Sequence, residues 1–240
     1  MKLDILAIGA HPDDVELGCG ATIAKEIANG KKVGIIDLTR GELGTRGTAE
    51  TRDEESFNAA KILGVSMRTN MEFADGFFVN DKLHQLELIK MIRKYKPELV
   101  ICNAVDDRHI DHGKGSKLVS DACFLSGLLK IDTKTENDDD WQEPWRPKQV
   151  FHYMQWKNLT PDLVVDVSGF IDKKLEAVLA YKTQFYDANS DEPETPISSK
   201  NFIDSVKYRA NDLGRLVGVA FAEGFTVERL VAVDSLFNLK

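Results

Sequence analysis

The strongest constraint on this chain is the order of apolar runs and helical patterns along its first half. The runs "KLDILAIGA", "KKVGIIDLT" and "ELVICNA" are short and rich in Ile, Leu and Val, as strands covered on both faces are. Segments of helical period lie between them: "ELGCGATIAKEIANG", "TAETRDEESFNAAKILG" and "HQLELIKMIRKYKP". Gly30, Gly64 and Pro97 stand where helices stop. Thr48, with Thr51 after it, puts polar groups in the first turn of the second helix. A short strand is expected at "NMEFA", and a helix from about Ser116 to Leu129. Strands alternating with helices build an α/β fold, a Rossmann-like doubly wound, mostly parallel sheet with helices on both faces.

The second half is an elaborated C-terminal part. "QVFHYMQW" and "LVVDVS" read as strands, "FIDKKLEAVLAYKTQF" and "NFIDSVKYRANDLGRLVG" as helices, and "VAFAEGFTVERLVAV" as a last loop and strand. "RLVGVAFAEGF" suits either core or a subunit interface. The acidic, Pro-containing stretch at about 133–147 reads as an exposed loop, with a lid as the alternative. There is no internal repeat and no clean linker, so residues 1–240 are expected to form one domain.

A net charge of −8 supplies no strong positive field, which argues against a nucleic-acid or anionic-membrane binder. Cys19, Cys102 and Cys123 are widely spaced and lie in or beside apolar segments; they read as reduced thiols of a cytoplasmic protein. The opening residues carry no leader pattern and no apolar run long enough to span a bilayer.

Two polar clusters follow two of the apolar runs: His11-Pro12-Asp13-Asp14 and His109-Ile110-Asp111-His112. In a parallel sheet both emerge at the carboxyl edge. They meet in the ligand crevice if their strands are neighbours at the switch point. "GAHPDD" occupies the place of the phosphate-binding G-x-G-x-x-G, so a dinucleotide reading loses its main support. The residue types suit zinc instead, with two His and one Asp as protein ligands and a position left open. Other divalent transition metals accept the same donors.

Adjacent aspartates diverge in either a strand or a helix, which suits one ligand and one general base. Alone, an Asp-Asp pair is as ordinary as a helix cap, and a His-x-x-His as ordinary as a polar loop. The two clusters together, each just after a buried strand, outweigh those readings. His84 and His152 read as structural, Glu16 as helix-start charge or a supporting residue, and Cys19 as small packing.

"AHPDDVELGCG" and "HIDHG" resemble the paired motifs of the LmbE/PIG-L zinc deacetylases. "DLTRGELGTRGTAETRDEES" and "LVGVAFAEGF" are similar to the branch that acts on N-acetylglucosaminyl-malate in bacillithiol synthesis. The resemblance implies His11, Asp14 and His112 as zinc ligands and Asp13 as general base. It implies His109 as the oxyanion donor, oriented and charged by Asp111. Arg52 is implied as a substrate contact, with Arg209 as a further candidate for the malate carboxylates. The implied reaction is zinc-dependent removal of the N-acetyl group, giving acetate and glucosaminyl-malate. The alternatives are another N-acetylglucosamine derivative, such as a chitooligosaccharide or a thiol conjugate, and a non-catalytic binding member of the fold. A small-molecule N-acetyl amino sugar is the expected partner, and the family suggests a homo-oligomer.

Overall fold

The computed structural model describes residues 1–134 and 142–239. Its centre is a seven-stranded sheet in the order β3-β2-β1-β4-β5-β7-β6. The strands are β1 (Ile5–Gly9), β2 (Val33–Asp37), β3 (Met67–Asn70), β4 (Leu99–Cys102), β5 (Gln149–Tyr153), β6 (Leu163–Asp166) and β7 (Ala222–Val227). Pairing is parallel from β3 through β5, while β7 runs antiparallel to both β5 and β6. The expected α/β fold, Rossmann-like and mostly parallel with an added C-terminal part, is the one observed. The chain passes from β1 outward to β2 and β3, then returns to place β4 on the other side of β1. The switch point therefore lies between the strands that precede the two polar clusters.

Side-chain alternation along β1 divides the core. Ile5 and Ala7 face a layer with Val15, Ile23, Leu63 and Val178. Leu6 and Ile8 face a layer with Leu88, Ile92, Leu118 and Val119. The first layer comes from α1 (Asp14–Ala28), α2 (Ala49–Leu63) and α5 (Ile171–Leu179), and the second from α3 (Lys82–Tyr95) and α4 (Ile110–Ser126). A last helix, α6 (Lys200–Leu216), packs on β7. Thr48 and Thr51 form a reciprocal capping box at α2.

Several boundaries differ from expectation, each for a local reason. The strand expected at "NMEFA" sits earlier, because Met67–Asn70 is the segment in register with Gly34–Asp37. Helix α4 starts at Ile110, not near Ser116, because His109 caps it: its Nδ1 accepts the Asp111 N–H at 3.3 Å. Helix α5 ends at Leu179, well short of Phe185. The Glu55 carboxylate accepts both the N–H and the hydroxyl of Thr183, at 2.7 and 2.8 Å, and draws the chain off the helical path. In "RLVGVAFAEGF", Ala222 and Phe225 are core while Leu216 and Val217 are exposed. The acidic stretch falls partly outside the described residues, at 135–141. Its described flank is tied down by Trp145, whose indole N–H donates to the Pro97 carbonyl at 2.7 Å. Pro97 precedes β4, so this flank lies at the amino edge of the sheet, away from the clusters. Among the described residues no helix is long and apolar enough to cross a membrane.

The approach of α1 to β5 requires a glycine. A Cβ on Gly18 would stand 2.1 Å from a ring carbon of Tyr153, which is fully buried and donates its hydroxyl to the Ile8 carbonyl. Gly18→Ala is expected to lower unfolding free energy by roughly 1–3 kcal/mol, because overpacking outweighs the smaller gain in helix propensity. Denaturant titration of the two proteins measures it; equal or greater stability would show that Tyr153 is free to move.

Candidate metal and catalytic site

Both clusters stand at the carboxyl edge, side by side. β1 ends at Gly9, and the chain enters α1 at Asp14 after a short turn. Asp13, the residue before the helix, has φ 107° and ψ −25°. That backbone region is costly for a side chain with a Cβ, on the order of 1–3 kcal/mol. It turns the Asp13 carboxylate away from that of its neighbour.

Asp14 is buried between two imidazoles. Its Oδ1 lies 3.1 Å from His112 Nε2, and its Oδ2 lies 3.5 Å from His11 Nδ1. Their positive charge and hydrogen bonds overcome burial and hold the Asp14 carboxyl well below the usual range. Each imidazole has a carboxylate on its far nitrogen. His11 Nε2 is 3.0 Å from Asp75 Oδ1 and 3.5 Å from Asp111 Oδ2, and His112 Nδ1 is 2.6 Å from Asp107 Oδ2. Burial alone would lower both imidazole pKa values. The surrounding carboxylates reverse this, raising His11 well above its ordinary value and His112 to about 9.

This electrostatic demand suits a metal cation. Four carboxylates converge on two imidazoles and draw protons onto them, so the site is short of positive charge. A divalent cation among His11, Asp14 and His112 would supply it, and imidazole with carboxylate is a donor set that zinc accepts. The outer carboxylates then orient the imidazoles from behind. His109 stands beside them, its ring centroid 4.6 Å from that of His11 and 5.1 Å from that of His112. Ring nitrogens of these three histidines lie within 4.8 Å of one another.

Three residues of the expected set make contacts within the protein. Asp111 meets the His109 ring through its backbone N–H and not through its carboxylate. Its carboxylate accepts the Gly76 N–H at 2.7 Å, pairs with Lys114 at 2.6 Å and faces His11. Burial and the charges of His11 and His112 push the His109 pKa down. Its Nδ1 accepts the Asp111 N–H, so the neutral ring carries its proton on Nε2. Arg52, expected as a substrate contact, is buried and pairs instead with Asp13 Oδ2 at 2.6 Å, while donating to the Pro12 carbonyl at 3.0 Å. Arg209 donates to the carbonyls of Gln155 and Trp156. Both arginines border the cavity, but with hydrogen bonds already made.

Asp13 lacks the imidazole contacts of Asp14. Burial raises its pKa to about 6 against the pull of Arg52. Glu16 lies in the first turn of α1, fully buried, paired with Arg68 and accepting the Tyr181 hydroxyl at 3.1 Å. His152 is buried on β5, its nitrogens near Ser116, the Asn103 carbonyl and Glu228. The cysteines are buried and free.

Sequence reasoning missed Asp75, Asp107, Asn103 and Gln155. Asp107 had a signal, an acid five residues before His112 in "DDRHIDH". Asp75 sits in an ordinary Asp-Gly pair and gave none. The cavity in front of these groups is about 650 Å³ and continues between β7 and α6, past Met154, Phe202, Val206 and Leu213.

The family model for PIG-L, GlcNAc-PI de-N-acetylase, matches residues 6–123. A solved structure, the conserved protein TT1542 from Thermus thermophilus, is 36% identical with a TM-score of 0.84, covering 97% of this chain and 98% of that one. The uncharacterized deacetylase YaiS of Escherichia coli is 43% identical over 116 residues, 45% of this chain and 61% of that protein. The chain thus matches about three fifths of that relative's length. The diacetylchitobiose deacetylase of Thermococcus kodakarensis is 29% identical over 191 residues, 75% of this chain and 70% of that protein. The matched segment carries both polar clusters, and the likeness to the Thermus protein runs nearly end to end: this chain belongs to the PIG-L, or GlcNAc-PI de-N-acetylase, family.

Proposed function

We propose that this chain is a metal-dependent amide hydrolase that removes the acetyl group from N-acetylglucosaminyl-malate, releasing acetate and the free glucosamine amine. The observation that carries the chemistry is the division between adjacent aspartates. Asp14 lies between two imidazoles, while Asp13 is turned into the same cavity with a pKa close to neutrality. A pure binding module needs no such second carboxylate. Relatives named as deacetylases of acetylated amino sugars support the reaction class, and the sequence resemblance supports the malate glycoside.

His11, Asp14 and His112 would hold the metal. When bound, it supplies Lewis acidity at the acetyl carbonyl and lowers the pKa of water. Asp13 accepts the proton of the attacking water and delivers it to the amine nitrogen as the C–N bond breaks. A pKa near 6 suits both transfers. Arg52 holds the Asp13 carboxylate in place through charge-assisted hydrogen bonding. His109, protonated on Nε2, donates to the oxyanion as it develops. Asp107 and Asp75 keep the imidazoles in their working tautomers.

A second reading, a chitooligosaccharide-type substrate, is favoured by one observation. Arg52 and Arg209 are engaged within the protein, and Lys174 pairs with Glu223 at 2.6 Å. A dicarboxylate therefore meets few free cations. Acetate release from N-acetylglucosaminyl-malate, diacetylchitobiose and N-acetylglucosamine separates the readings. Preference for the malate glycoside supports the first, and preference for the disaccharide replaces it.

Asp13→Asn keeps an acceptor for Arg52 and a residue tolerant of positive φ. It is expected to retain metal content and fold while losing roughly 10²–10⁴-fold in kcat; activity within a few-fold of wild type would exclude Asp13 as the base. Arg52→Gln is expected to lower kcat by roughly 10–100-fold, the worth of a charge-assisted hydrogen bond. The drop should be alike for substrates with and without a carboxylate, with KM little changed. A rise in KM confined to the malate glycoside would instead make Arg52 a substrate contact.

A further inference from the structure

Asp14 is held by two side-chain amides that stand outside the expected ligand and base set. Asn103 follows the last residue of β4 and is fully buried. Gln155 lies just past the end of β5 and is 8% exposed. Asn103 Nδ2 donates to Asp14 Oδ2 at 2.9 Å, and Gln155 Nε2 donates to Asp14 Oδ1 at 2.8 Å.

The orientation of each amide is set by backbone donors. Asn103 Oδ1 accepts the Ala10 N–H at 2.8 Å, and Gln155 Oε1 accepts the Ala104 N–H at 3.2 Å and Asn103 Nδ2 at 3.0 Å. A flipped amide would set N–H against N–H, so both NH₂ groups must face Asp14. Arg209 of α6 fixes the far side of this arrangement by donating to the carbonyl of Gln155 itself. The arginine that looked like a substrate contact is thereby an anchor for the amide.

Counting lone pairs shows what the arrangement leaves available. A carboxylate oxygen has about two acceptor sites. Oδ2 accepts the backbone N–H of His11 at 2.9 Å and Asn103 Nδ2, with the His11 ring Nδ1 farther off at 3.5 Å, so both of its sites are filled. Oδ1 accepts from Gln155 Nε2, which also stands 3.3 Å from His112 Nε2, and its remaining site faces that same ring nitrogen at 3.1 Å.

We propose that Asn103 and Gln155 are positioning residues, an amide clamp that locks the Asp14 carboxylate and presents Oδ1 alone to the metal. The clamp also explains why two adjacent aspartates do not exchange roles: Asp14 is gripped by amides and Asp13 by Arg52. The proposal rests on the reading that His11, Asp14 and His112 hold the metal.

The test uses the full chain stripped of metal, with zinc affinity measured by competition against a chelating dye. The absorption spectrum of the cobalt(II)-loaded protein reports ligand geometry, and the thermal midpoint of the metal-free protein reports fold. Gln155→Leu is expected to bind zinc roughly 10–100-fold more weakly, with an altered cobalt spectrum. Gln155→Met keeps the length of the side chain but offers no donor to Asp14. It serves as the near-isosteric variant should Leu fail to fold, and it is expected not to restore wild-type affinity. Zinc affinity and cobalt spectrum equal to wild type in Gln155→Leu, or full recovery in Gln155→Met, would overturn the clamp while leaving the metal site standing. Failure of the wild type to take up either ion would overturn the site reading and the clamp together.

Discussion

The site depends on one buried carboxylate that has no bulk water to solvate it. Asp14 is 3% exposed, and an ionised group at that depth is tolerated only when it is fully paired. Its partners come from separate stretches of chain: the His11 loop, the end of β4, the first turn of α4 and the segment after β5. Apart from His11, all of them are distant from Asp14 in sequence. The parallel sheet brings them together, because β1, β4 and β5 are consecutive neighbours whose carboxyl ends share one edge. The topology thereby converts a costly charge into a fixed point around which imidazoles and amides are arranged.

The adjacent Asp13 has a different fate, decided by one backbone dihedral. A positive φ at the residue before α1 sends its side chain away from the imidazoles and toward Arg52. The strain is sustained because the flanking residues are committed elsewhere: His11 N–H to Asp14, and Pro12 carbonyl to Arg52. Two identical side chains then differ in acidity in opposite senses. Imidazoles hold the Asp14 carboxyl down, while burial lifts Asp13 to about 6. Such divergence separates a group that stays ionised from one that can exchange a proton near neutrality.

Much of this was legible because the strongest signals were local. The apolar runs at β1, β2 and β4 mark strands by composition alone, and His11 to Asp14 and His109 to His112 announce themselves by residue type just after two of them. What could not be read were commitments made across long sequence separations. Arg52 opens a helix in the sequence, yet its partner is 39 residues away. The anchor from Arg209 to the Gln155 carbonyl spans 54 residues. The start of α4 was missed because histidine is not a favoured N-cap, while the tertiary site holds His109 in that position regardless. The early end of α5 was missed because Glu55, the acceptor that pulls Thr183 away, is 128 residues distant. Periodicity reports a helix's apolar face, not a remote hydrogen bond that competes with its last turns.

Charge in the cavity bears on substrate choice in the same way. The cations along it include Arg52, Arg108, Lys174 and Arg209. Arg52 is joined to Asp13, Lys174 to Glu223 and Arg209 to backbone carbonyls. Arg108 is exposed and lies 4.5 Å from the Trp156 ring, at the same mouth. Anionic recognition by this cavity must therefore either displace an internal partner or concentrate on its rim. Displacing Arg52 would release Asp13 at the moment an anion arrives, at the cost of a buried ion pair. Rim recognition would leave Asp13 held throughout. The geometry favours the second course, since an Asp13 left without Arg52 would stand uncompensated beside Asp14 and repel the carboxylates that Arg52 had turned to meet.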